Sequence, residues 1–249
     1  MRVALAQYQP SAAVSANLDI IGRIVELAGG KNADLIIFSR DFLGDPGEPA
    51  LVMPNLQNLA KRFEVEILTG RVRIDGDALS TAVPAQAALI GRDGLLIDRV
   101  PAGEIKPLRA CLGSTLVLSE EQAYNAGADR AALQFRPKVM VMQTGASSLL
   151  ELEAIKELAI DRSYNQAHLV VCVSVVGRWR NEDYLGACLA VLQGEIVAEA
   201  DANSGELVIF SVDPSKFIDY DELRDPVTIP ELLKQKYGPH DIGHDSDSP

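Results

Sequence analysis

Short apolar runs alternate with amphipathic stretches along most of the chain. Residues 3–7 and 33–38 are dense enough in aliphatic side chains to predict buried strands. Between them, residues 17–28 place Leu18, Ile21, Ile24, Val25 and Ala28 at the spacing of one helical face, and Gly29-Gly30 predicts the end of that helix. The opening pattern is therefore strand, helix, strand.

The same alternation continues further along the chain. Residues 56–63 predict a helix behind Pro54, and residues 65–70 predict the next strand. Gly91-Arg92-Asp93-Gly94 separates two apolar runs and predicts a tight β-hairpin, since Asp-Gly suits such a turn. Further strands are predicted at 116–118, 138–142, 169–176, 187–192 and 195–199, and the longest helix at 149–166.

Alternating strands and helices predict a layered α/β domain, and the hairpins mean that its sheets are not purely parallel. No linker, repeat or low-complexity tract interrupts the pattern before residue 225. We expect one domain over residues 1–238. Residues 239–249 are rich in Asp, Gly, His, Ser and Pro, which predicts a disordered acidic tail.

Composition restricts the possible partners. A net charge of −12 opposes binding to nucleic acid or to an anionic membrane surface. No apolar run reaches the ~20 residues of a membrane span, and the first residues do not resemble a signal peptide, so we expect a cytoplasmic protein. Cys111, Cys172 and Cys188 lack metal-ligand spacing, and we expect reduced thiols, no metal and no cofactor.

One hexamer carries a family resemblance. Phe38-Ser39-Arg40-Asp41-Phe42-Leu43 closes the strand at 33–38 and resembles a motif of the nitrilase (carbon-nitrogen hydrolase) superfamily. Gly127-Ala128-Asp129 and the hairpin at 193–199 match later segments of that family. The resemblance implies a four-layer α-β-β-α sandwich, and it implies a homodimer or larger homo-oligomer formed across the long helix.

The resemblance also implies a catalytic glutamate, lysine and cysteine. The glutamate position holds Arg40, the lysine position holds Val100 (or Arg99 after a shift of one), and the cysteine position holds Ser119. A guanidinium stays protonated and cannot act as a general base, and valine cannot stabilise an oxyanion. No catalytic residue is therefore expected at these three positions.

Several alternatives remain open at these positions. A register shift of one would place Asp41 where the base belongs, and Ser119 is also a good N-cap for a following helix that begins with Glu120. Lys106 and Glu104 are weak substitutes for the family's lysine and its supporting glutamate. Cys111 is a candidate displaced nucleophile, although no strand is predicted before it.

Three functions follow from these observations. The first is a non-catalytic ligand-binding or assembly protein whose pocket, formed by Arg40, Asp41, Arg99, Ser119 and Glu120, binds a small anionic ligand through arginine. The second is an amidase-like carbon-nitrogen hydrolase with a displaced or altered nucleophile, Cys111 or Ser119, and with Asp41 or Glu120 as the base. The third is a structural partner of an active relative in a mixed oligomer.

Overall fold

The computed structural model describes residues 1–44, 49–74 and 83–217. The predicted domain end at residue 238 and the predicted tail at 239–249 lie outside these ranges. The described elements follow in chain order: β1 (Arg2–Gln7), α1 (Val14–Gly30), β2 (Leu35–Phe38), α2 (Pro49–Phe63), β3 (Glu66–Leu68), β4 (Val72–Ile74), β5 (Val83–Ile90), β6 (Leu96–Pro101), β7 (Pro107–Ala110), β8 (Gly113–Ser119), α3 (Glu120–Ala123), α4 (Ala126–Phe135), β9 (Val139–Gln143), α5 (Leu149–Asn165), β10 (Leu169–Val173), β11 (Gly177–Trp179), β12 (Glu182–Tyr184), β13 (Leu189–Leu192), β14 (Glu195–Glu199) and β15 (Glu206–Ser211).

Two large mixed sheets organise the described residues. The first has the order β15-β1-β2-β3-β5-β4, with β6 also paired to β5, and its strands β1, β2 and β3 are parallel. The second has the order β14-β13-β10-β9-β8-β7, with β8, β9 and β10 parallel. The parallel strands lie at the centre of each sheet and the hairpin strands toward its edges.

Successive side chains of a strand point to opposite faces of its sheet, so the buried side chains form three apolar layers. Leu5 of β1 and Val117 of β8 belong to a cluster between the two sheets. Ile36 of β2 points the other way and packs with Ile21 of α1. On the far side of the second sheet, Leu116 belongs to a cluster with residues of α4 and α5. These layers confirm the predicted four-layer α-β-β-α sandwich.

Most predicted elements are present, with local differences. The hairpin at 91–94 is confirmed, and Gly94 adopts the positive φ of 80° that its turn requires. The prediction that a helix begins behind Pro54 is wrong, because α2 begins at Pro49 and contains Pro54. The hairpin of β11 and β12 was not predicted, since its strands are three residues long and mostly polar.

No helix among the described residues combines the length and apolar character needed to cross a lipid bilayer.

Candidate functional site

A cavity of about 290 Å³ opens at the carboxyl ends of the central parallel strands. This edge is where ligands bind in open α/β sheets, because strand ends and loops converge there. Its lining comes from strands of both sheets, from the loops that follow them and from α3: Arg40, Arg71, Gln86, Ala102, Gly103, Ser119, Glu121, Gln122 and Asn125.

Two buried glutamines join the sheets beside this cavity. Gln143, the last residue of β9, donates from Nε2 to the carbonyl oxygens of Thr69 (3.1 Å) and Phe38 (3.4 Å) in the first sheet. Gln86 of β5 donates from Nε2 to the carbonyl oxygen of Val117 at 3.2 Å, in the second sheet. The carboxyl end of β2 is therefore held close to that of β9, the strand beside β8.

Arg40 lines the cavity from the loop after β2. Its carbonyl oxygen accepts a hydrogen bond from the backbone N–H of Arg71 at 2.9 Å, which fixes the backbone beneath the side chain. The guanidinium forms no hydrogen bond or ion pair with any residue that the structure describes. Partial burial raises the pKa of the nearby Glu120, and the charge of Arg40 opposes that rise. Arg40 thus presents a cation with unused donors.

Asp41 lies next to Arg40 but is already engaged. Its Oδ1 forms an ion pair with Nη2 of Arg71 at 3.1 Å, and both side chains are about one-quarter exposed. This pair cancels much of the charge of Arg71. Arg40 therefore remains the cavity-lining cation without an ion-pair partner among the described residues.

The lysine position has no cation directed into the cavity. Val100 is fully buried in the cluster between the sheets, opposite Ala87 on β5. Arg99 pairs with Ala88, whose side chain faces the helices, and it is not among the lining residues. Lys106 forms an ion pair with Asp98 at 2.9 Å.

Glu104 contributes a backbone atom to this region. Its carbonyl oxygen accepts a hydrogen bond from Nε2 of Gln122 at 3.0 Å.

Ser119 ends β8, lines the cavity and is also the N-cap of the short helix α3. Its backbone N–H donates to Oε1 of Gln122 at 2.9 Å, the reciprocal contact of a capping box. The predicted N-cap role is confirmed. Glu120 follows in the first turn of α3, half-buried beside the cavity rather than among its lining residues.

Cys111 lies far from this cavity, in the turn between β7 and β8. Since β8 runs from Gly113 to Ser119, the thiol is roughly 20 Å or more from Ser119. A strand does precede it, contrary to expectation, because β7 ends at Ala110. Burial and the neighbouring Glu66 carboxylate raise the pKa of Cys111, so its sulfur stays protonated near neutral pH.

The other two thiols are core residues, as predicted. Cys172 and Cys188 are buried, and burial raises the pKa of Cys188 to about 12. All three cysteines are free.

The sequence did not reveal Arg71, Gln86 or Gln122 as site residues. Of these three residues, Gln86 was the easiest to recognise from the sequence, because it interrupts an otherwise apolar strand, Ala85-Gln86-Ala87-Ala88. A buried glutamine must find hydrogen-bond partners, which marks such a position as structurally or functionally special.

Comparison with known proteins gives two kinds of result. No family model matches the chain, and no curated protein sequence matches it. Solved structures do match. A double mutant of the amidase from Nesterenkonia sp. AN1, in complex with acrylamide, superposes with a TM-score of 0.71 at 17% identity, covering 95% of this chain and 97% of the amidase.

Two eukaryotic structures are similar to the same extent. Saccharomyces cerevisiae Nit3, a member of branch 10 of the nitrilase superfamily, gives a TM-score of 0.74 at 18% identity, covering 92% of this chain and 96% of Nit3. The C. elegans NitFhit protein gives 0.73 at 14% identity, covering 91% of this chain and 63% of NitFhit. At these identities the likeness concerns the backbone architecture, and this chain therefore has the fold seen in proteins of the nitrilase superfamily.

Proposed function

We propose that this protein is a non-catalytic member of the nitrilase superfamily that binds a small anionic ligand in the cavity at the carboxyl ends of β2 and β8. The observation that carries the proposal is Arg40, a cavity-lining residue whose guanidinium has no ion-pair partner among the described residues. Planar guanidinium groups bind carboxylates through two parallel hydrogen bonds.

The chemistry of the same positions supports a loss of hydrolysis. Structures of the Nesterenkonia amidase show acrylamide added to an active-site cysteine. In this chain Ser119 lies at the end of β8 and Cys111 lies at the other end of that strand. A serine hydroxyl needs a positioned base before it can attack an amide carbonyl. Arg40 cannot serve as that base, and Asp41 is paired with Arg71.

We expect the purified protein to release no ammonia from short aliphatic amides and nitriles above a protein-free blank. Ser119→Ala and Cys111→Ser are expected to behave as the wild type does, and the Nesterenkonia amidase serves as the positive control. Turnover by the wild type that either substitution abolishes would establish the alternative, a carbon-nitrogen hydrolase with an altered nucleophile.

We also propose a homodimer formed across α5. Leu149 and Leu150 at the start of this helix and Tyr164 near its end are exposed, with Leu150 at 82%. Exposed aliphatic and aromatic side chains on one element are typical of subunit interfaces.

Light scattering of the wild type is expected to give twice the mass of one chain. Leu150→Glu should yield monomer at micromolar concentration, because burying an unpaired carboxylate in an interface is unfavourable. Leu27→Glu, a matched change at an exposed leucine of α1, should leave the dimer intact. A monomeric wild type would contradict the proposal and favour assembly with a different chain.

The proposed location is the cytoplasm, supported by the three free cysteines.

A further inference from the structure

The cavity has charges of both signs on its walls. Arg40 and Arg71 bring positive charge to the lining, and Glu121, exposed in the first turn of α3, brings negative charge. Because Asp41 pairs with Arg71, the remaining charges on and beside the walls are the cation of Arg40 and the anions of Glu121 and Glu120. A ligand that carried only negative charge would pair with Arg40 and be repelled by Glu121.

An acceptor of fixed orientation adds to this pattern. Gln86 is 7% exposed and lines the cavity. Its Nε2 uses both hydrogens, donating to the Val117 carbonyl at 3.2 Å and to Oε1 of Gln122 at 2.7 Å, so the orientation of the amide is fixed. Its Oε1 receives no hydrogen bond from any residue within the described ranges. This oxygen is not sealed from solvent, so it is available to a ligand that donates hydrogen bonds.

Gln122 fixes the orientation of the Gln86 amide. Its Oε1 accepts from Gln86 and from the backbone N–H of Ser119, and its Nε2 donates to the Glu104 carbonyl. Two of these three partners are backbone atoms, which cannot rotate as a side chain does. Gln122 therefore acts as a positioning residue that keeps the free oxygen of Gln86 fixed.

We propose that the cavity binds a small zwitterion with one carboxylate and one ammonium group, that is, an amino acid. The carboxylate pairs with the guanidinium of Arg40, and the ammonium donates to Oε1 of Gln86 and to the carboxylate of Glu121. The volume of about 290 Å³ is at the small end of ligand pockets and suits one such molecule. This inference rests on the proposed function: it keeps the carboxylate that Arg40 binds and adds an ammonium group to the ligand.

Isothermal titration calorimetry with matched compounds tests the inference. The probes are the common α-amino acids and 4-aminobutyrate. Each is compared with two analogues of equal chain length, one with the carboxylate alone and one with the amine alone. Inorganic phosphate is tested as well. We expect at least one amino acid to bind about tenfold or more tightly than both of its analogues, since each lacks one charge-assisted contact.

Three variants assign the contacts. Arg40→Gln is expected to weaken binding of that amino acid about tenfold, and Glu121→Gln about fivefold, in line with the loss of a charge-assisted hydrogen bond. Glu121→Gln should leave the carboxylate analogue bound equally well or better, because repulsion is removed. Arg23→Gln, a matched change at an exposed arginine of α1, should have no effect. Far-ultraviolet circular dichroism verifies that each variant is folded.

The outcomes separate the two proposals. If carboxylates or phosphate bind as tightly as any amino acid and Arg40→Gln weakens them, the zwitterion inference is wrong and the anionic-ligand function stands. If no probe binds the wild type at millimolar concentration, both the inference and the anionic-ligand function are wrong. Binding of an amino acid that is insensitive to both Arg40→Gln and Glu121→Gln overturns the assigned contacts and with them the inference.

Discussion

Gly70→Ala is expected to destabilise the protein by at least about 3 kcal/mol, at or above the upper end of the range for overpacking substitutions. A Cβ atom at this position would lie 1.9 Å from the carbonyl oxygen of Ser39 and 2.6 Å from that of Arg40. Both are backbone atoms of the loop after β2, so neither can rotate aside as a side chain would. The loop that carries Arg40 would have to move.

Thermal unfolding followed by circular dichroism measures this effect, and a loss of that size lowers the melting temperature of a chain this long by roughly 6–12 °C. Gly22→Ala is the matched control. Gly22 lies within α1, and its added methyl group would meet only Leu59 Cδ2, at 4.0 Å. It should stabilise the protein by up to about 1 kcal/mol, because alanine is the better helix former. Equal stability of Gly70→Ala and wild type would contradict this close backbone approach.

The fold was predictable because its signals are local. The apolar run that ends at Phe38 is buried on both faces of the first sheet, and the turn at Asp93-Gly94 specifies its own hairpin. Ser119 as an N-cap was equally local, since the helix it caps follows directly. The strand β7 was missed because it is short and begins with Pro107.

The cavity was only partly predictable, because its walls come from residues far apart in sequence. Arg71 reaches Asp41 across 30 positions, and Gln86 reaches Gln122 across 36. Whether Arg99 or Val100 faces the other sheet depends on the pairing of β5 with β6, which contains two irregularities. A shift of one residue reverses the face of every side chain, and the sequence does not specify such irregularities.

Asn17→Leu is expected to destabilise the protein by roughly 3–5 kcal/mol, because three buried or partly buried backbone groups lose their partner at about 1–3 kcal/mol each. Asn17 is fully buried in the first turns of α1. Its Oδ1 accepts from the Ser11 N–H at 2.6 Å, and its Nδ2 donates to the carbonyl oxygens of Ser11 at 2.7 Å and Leu43 at 2.6 Å. It thereby joins the loop that carries Arg40 to the helix layer.

Urea unfolding tests this expectation through a lower midpoint with an unchanged slope, which identifies a change in stability alone. Asn55→Leu is the matched control, since Asn55 is exposed on α2 and, among the described residues, bonds only the Leu51 carbonyl of its own helix. Its effect should stay within about 0.5 kcal/mol. A loss below about 1 kcal/mol for Asn17→Leu would mean that the freed groups find other partners. The attachment of the Arg40 loop to α1 would then depend on apolar packing instead of on this amide.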